Sequence, residues 1–145
     1  MNLETIRKIF DVNDLLEPQS FRKINVGFTN SVYVVDEKFI LKVCDDADNE
    51  KPFSLEAKLY DRFKDELPVP QLLAFDASKS VLPNMYLLYP MIEGENLYNV
   101  WHTYTDETRK AIIDNYAVCF AMLPKQTPRA WLSSSNLSLA GRGLS

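Results

Sequence analysis

The chain has 145 residues, 46% of them hydrophobic and 25% charged, a composition that supports a globular core without covalent staples. Its net charge of −4 argues against nucleic acid as the main partner, because phosphate backbones select basic faces. No apolar run approaches the roughly 20 residues of a membrane span, and Met1-Asn2-Leu3-Glu4 opens no secretion signal. The expectation is a cytoplasmic protein with no membrane partner.

Residues 3–10 carry apolar side chains at Leu3, Ile6, Ile9 and Phe10, the spacing of a short amphipathic helix. Residues 21–26 then read as a strand, interrupted at Gly27-Phe28-Thr29-Asn30. Strand character resumes over 31–35, turns at Asp36-Glu37 and returns over 38–43, an antiparallel meander. Residues 44–51 are acidic and polar, a loop. Pro52 suits the first position of a helix, which the pattern carries to Phe63 and stops before Pro68.

Residues 72–75 and 85–89 form two further extended stretches, separated by a turn region rich in Ser, Asp, Asn and Pro. Residues 90–95, with Pro90 and Gly94, read as a linker. Thr105 is a good N-cap for a final helix, with Asp106 and Glu107 on its positive end. Ile112, Ile113, Tyr116, Ala117 and Phe120 share one face of it. Beyond Lys125 the character changes: Ser133-Ser134-Ser135, Gly141 and Gly143 accompany scattered leucines without a period. Cys44 and Cys119 lack CxxC or His-rich spacing and read as buried free thiols.

Alternation over the third strand puts Ile40, Lys42 and Cys44 on one face and Phe39, Leu41 and Val43 on the other. Both faces are apolar, so the strand is covered on both. A covered lysine either snorkels or needs an anion. In the following helix, Glu56 shares a face with Phe53, Ala57, Tyr60 and Phe63, either at its solvated edge or embedded in the aromatic stripe and in need of a partner. A strand lysine and a helix glutamate, both facing inward, satisfy each other. The turn from Gly27 to Ser31 could fold over an anion, although an ordinary β-turn uses the same residues. The segment 86–94 leaves main-chain groups free to read a flat heterocycle, or serves as a plain linker.

Taken together, "VGFTNSVYVV", "FILKV", "SLEAKLYDRF", "LPVPQLLAFD" and "YLLYPMIEGENL" resemble, in order, the N-terminal lobe of the aminoglycoside phosphotransferase and choline kinase superfamily. The resemblance covers roughly residues 20–123. It implies an α+β kinase-like lobe: a five-stranded antiparallel sheet with one packed helix, then a hinge and a C-terminal helix. The implied domains are a helical segment at 1–19, the lobe at 20–92, the hinge and first helices of a second lobe at 93–124, and an irregular tail at 125–145. The implied activity is transfer of the ATP γ-phosphate to the hydroxyl of a small acceptor. By position, Lys42 would hold the α- and β-phosphates and Glu56 would orient it. Ile40 would pack on adenine, and Gly27, Thr29, Asn30 and Ser31 would lie over the phosphates. Tyr89 would precede the hinge, with the Pro90 carbonyl and Ile92 N–H facing the adenine edge.

The superfamily takes its catalytic His-x-Asp, its Asn and its metal-binding Asp from the second lobe. Here the one histidine, His102, is followed by Thr103 and Tyr104 and reads as a surface or helix-flank residue. No catalytic or metal-binding residue is assigned, and Mg²⁺ is expected for the family without ligands here. Asp45, Asp46 and Asp48 read as solvated. The end of the resemblance near Leu123 suggests truncation or a changed reading frame, with a disordered tail as the plainer account. Exposed apolar faces, negligible turnover and self-association would follow. The alternative function is a non-catalytic, nucleotide-responsive or interaction module.

Overall fold

The computed structural model of the chain describes residues 1–24 and 29–126, the last four of these by backbone only. The irregular tail expected from residue 125 lies outside the described residues from 127 onward. The chain divides into two compact units between Glu93 and Gly94.

The first unit begins with α1 (Leu3–Val12), capped by the Asn2 side chain, which accepts from the Thr5 N–H at 2.9 Å. Five strands follow: β1 (Phe21–Ile24), β2 (Asn30–Val35), β3 (Phe39–Cys44), β4 (Ala74–Asp76) and β5 (Tyr86–Pro90). They form one antiparallel sheet in the order β1-β2-β3-β5-β4. The β2–β3 connection turns through Asp36 and Glu37, with φ of 50° and 52°, and closes with the Lys38 N–H donating to the Val35 carbonyl at 3.0 Å. Two consecutive positive φ values give a turn whose twist matches that of the strands.

The sheet is covered on both faces, as the two-sided apolar pattern of β3 requires. On one face Tyr33, Val35, Leu41, Val43, Tyr86 and Leu88 pack with Ile6, Ile9 and Phe10 of α1. Each fully buried aliphatic or phenyl side chain contributes roughly 1.5–3 kcal/mol, which holds a helix too short to persist alone. The other face carries Cys44 and Leu87 against Phe53 and Ala57 of α2 (Glu50–Phe63). The α2 helix starts two residues before the Pro52 start expected from sequence. Proline is tolerated there because the first-turn N–H groups have no intrahelical acceptor.

The second unit contains α3 (Leu97–Val100), a 3₁₀ turn at Trp101–Thr103, and α4 (Asp106–Gln126). Sequence periodicity missed α3, which is a single turn capped by Asn96 Oδ1 accepting from the Tyr98 N–H at 2.9 Å. Thr105 caps α4 as expected, its hydroxyl oxygen accepting from the Thr108 N–H at 3.2 Å. Ile113, Tyr116, Val118 and Phe120 of α4 are all more than half exposed. No helix among the described residues is long and apolar enough to cross a membrane.

Candidate functional site

The α2 face of the sheet gathers the residues singled out above. Ladder register places Val32, Lys42 and Leu87 side by side across β2, β3 and β5, with Ile40 opposite Tyr89 one step along. Cross-strand partners share a face, so Ile40, Lys42 and Tyr89 all point toward the α2 side.

Lys42 reaches across to Glu56. Its Nζ donates to Oε1 at 2.8 Å and to Oε2 at 2.6 Å, with the two side chains 18% and 25% exposed. The ammonium also lies 5.6 Å from the centre of the Phe53 ring. Short contacts from one ammonium to both oxygens give a charge-assisted pair fixed in direction. The carboxylate has a third partner, the Tyr60 hydroxyl, which donates to Oε1 at 2.7 Å. Burial, and then Glu56, hold Tyr60 well above the ordinary tyrosine range, so it remains a donor. Tyr60 also meets the Tyr89 ring edge to face, with centroids 6.2 Å apart. Tyr89 is itself pushed up to about 12, by burial first and then by the Glu56 charge. Sequence reading placed Tyr60 on the Glu56 stripe without a role. Its position four residues on, one turn away on the same face, was the available signal.

The strand ends carry the remaining candidates. The Met91 N–H donates to the Lys38 carbonyl at 2.7 Å, so the main chain of Met91 faces β3. By strand alternation the Pro90 carbonyl faces away from β3 and outside its ladder. Ile92 is exposed, and among the described backbone hydrogen bonds none engages its N–H. At the other end, Thr29 is exposed, and Asn30 opposes Cys44 on the Lys42 face. The Asn30 Oδ1 is buried with no partner among the described residues. Gly27 lies outside the described residues.

Ser31 departs from its expected place. It opposes Val43, on the face away from Lys42, and its hydroxyl donates to Asp45 Oδ2 at 2.8 Å. A one-residue step along a strand reverses the side chain, so Ser31 and Asn30 cannot both overlie the lysine.

Asp45, Asp46 and Asp48 are exposed, and Asp46 Oδ1 accepts from the Asp48 N–H at 3.0 Å. Among the described residues no group of three or more His, Cys, Asp or Glu gathers in a metal-holding arrangement. Cys44 is a buried free thiol pushed up by burial, and Cys119 is a half-buried free thiol. His102 is exposed in the 3₁₀ turn.

A family model described as the phosphotransferase enzyme family matches residues 20–136. The chain belongs to that family. No curated protein sequence matches it. Solved structures similar to it include the streptomycin–ATP–APH(2″)-IIa ternary complex, at 15% identity and a TM-score of 0.53 over 74% of this chain and 34% of that one. The GDP and kanamycin complex of APH(2″)-IIIa aligns at 16% identity and a TM-score of 0.55, over 66% of this chain and 32% of that one. ADP-bound aminoglycoside phosphotransferase APH(2″)-Ib aligns at 15% identity and a TM-score of 0.52, over 74% and 34%. The chain spans about one third of the length of these structures. At this identity the likeness shows the fold, which is that of a kinase-like N-terminal lobe.

Proposed function

We propose that the chain is the nucleotide-binding part of a small-molecule phosphotransferase that transfers the γ-phosphate of ATP to an acceptor hydroxyl. The Lys42–Glu56 pair carries this reading. A directed ammonium on the covered face of the sheet is the donor that a polyphosphate requires, and the helix carboxylate fixes its aim. In the same reading Ile40 packs on the adenine ring, Tyr89 backs it, and the Pro90 carbonyl and Ile92 N–H address its edge. Thr29 and Asn30 approach the phosphates from the hairpin end. The ATP, ADP and GDP in the similar structures support a purine nucleotide as ligand.

Transfer forms a bond from the acceptor oxygen to Pγ and breaks the bond from Pγ to the β–γ bridging oxygen, leaving ADP. The acceptor proton needs a base, and His102-Thr103-Tyr104 does not supply the His-x-Asp pattern. The reading for these 145 residues is therefore nucleotide binding with negligible transfer. Residues 20–92 form the binding lobe, and 93–124 form the hinge and the first helices of a second lobe. The acceptor of a complete enzyme is a small hydroxylated molecule, and the streptomycin and kanamycin in two of the similar structures favour an aminoglycoside.

Isothermal titration of the full chain with ATP tests the reading. Lys42→Ala should weaken binding by at least about tenfold, the scale of one lost charge-assisted contact. Unchanged affinity would remove the nucleotide assignment.

A further inference from the structure

We propose that Tyr60 is a positioning residue of this nucleotide site, clamping the Glu56 carboxylate so that both oxygens stay turned toward Lys42. The inference rests on the nucleotide reading and extends it to a residue outside the expected set. A glutamate side chain has three rotatable bonds, and lysine alone would follow it through several rotamers. The third partner removes that freedom. Oε1 accepts from the Tyr60 hydroxyl at 2.7 Å and from Lys42 Nζ at 2.8 Å, while Oε2 takes the 2.6 Å contact. Tyr60 is itself fixed, its ring lying edge to face with Tyr89, which stands opposite Ile40 on the strand bearing Lys42. A closed loop results: β3 to α2 through the ion pair, and α2 to β5 through the two rings. Burial keeps the Tyr60 proton in place, so the hydroxyl is a permanent donor.

Tyr60→Phe keeps the ring and deletes only the hydroxyl. The wild-type chain, Lys42→Ala, Tyr60→Phe and the double variant are titrated with ATP and with adenosine, which lacks the phosphates. The expected result is ATP affinity about three- to tenfold weaker in Tyr60→Phe, with adenosine affinity unchanged and no further loss in the double variant beyond Lys42→Ala. Equal weakening toward ATP and adenosine overturns the proposal in favour of general packing. Loss in Lys42→Ala with wild-type behaviour in Tyr60→Phe overturns it while the nucleotide site stands. No loss in Lys42→Ala removes the nucleotide site itself. Should Tyr60→Phe not fold, the Tyr60 ¹³Cζ resonance of the otherwise unaltered protein is compared with that in Lys42→Met. A shift on loss of the lysine supports the shared carboxylate, and an unmoved resonance overturns it.

Discussion

Lys42 of β3 and Glu56 of α2 are joined by two contacts, 2.8 and 2.6 Å, that tie the middle of the sheet to the middle of its helix. The pair is asymmetric in what surrounds it. Glu56 has a second donor in Tyr60, whereas the Lys42 ammonium has only the Phe53 ring besides its carboxylate among the described contacts.

That asymmetry predicts which truncation harms folding more. Glu56→Ala leaves a mostly covered ammonium and the Tyr60 hydroxyl without an acceptor, and should cost about 2–3 kcal/mol. Lys42→Ala leaves the carboxylate one strong donor and partial solvent access, and should cost about 1–2 kcal/mol. Urea denaturation of the two variants checks the order. A larger loss in Lys42→Ala contradicts the hydrogen-bond arrangement.

Acid stability should depend on Asp36. Burial pushes its carboxyl up, but hydrogen bonds from the Ser20 and Gln19 N–H groups and the Ser20 hydroxyl, with Lys38 nearby, bring it below the ordinary 3.8. A depressed folded value contributes stability that is present above about pH 4 and is lost as pH falls through that folded value. Asp36→Asn should flatten this part of the stability profile, measured as urea midpoint against pH. An identical acid limb in wild type and variant would show that the turn carboxylate adds nothing.

Alkaline stability should fall for the opposite reason. Tyr89 is raised from 10.0 to about 12, so its contribution is complete below pH 10 and is lost as pH rises toward 12. Tyr60 acts in the same direction. Tyr89→Phe should reduce the slope of thermal stability between pH 10 and 12. A slope equal to wild type there would place Tyr89 in a wetter setting.

The α4 helix predicts association behaviour. Ile113, Tyr116, Val118 and Phe120 are 57%, 66%, 61% and 55% exposed. Apolar side chains at this density favour contact with another surface. Size exclusion with light scattering should show concentration-dependent self-association that Tyr116→Ser with Phe120→Ser suppresses. A monomer at all concentrations would remove the expectation.

How far the sequence could be read depended on the range of each interaction. The five strands and the long helices were legible because local period and turn residues dictate them, and the Lys42–Glu56 partnership because each charge stood alone in an apolar face. The α3 turn was not legible, since four residues hold too little periodicity. Strand limits shifted by a residue or two, as with the third strand, read as 38–43 and observed at Phe39–Cys44, because pairing decides where a ladder ends.

By itself the sequence determined the order of the five strands and the long helices, the two-sided burial of β3 and the residues able to pair a cation with an anion, all consequences of side-chain spacing along one chain. The tertiary structure alone decided that Ser31 faces Asp45 instead of the lysine, and that the Tyr60 hydroxyl reaches the Glu56 carboxylate. Those outcomes depend on register and on the approach of elements distant in sequence. A shift of one residue or one ångström changes the partner without altering any local pattern.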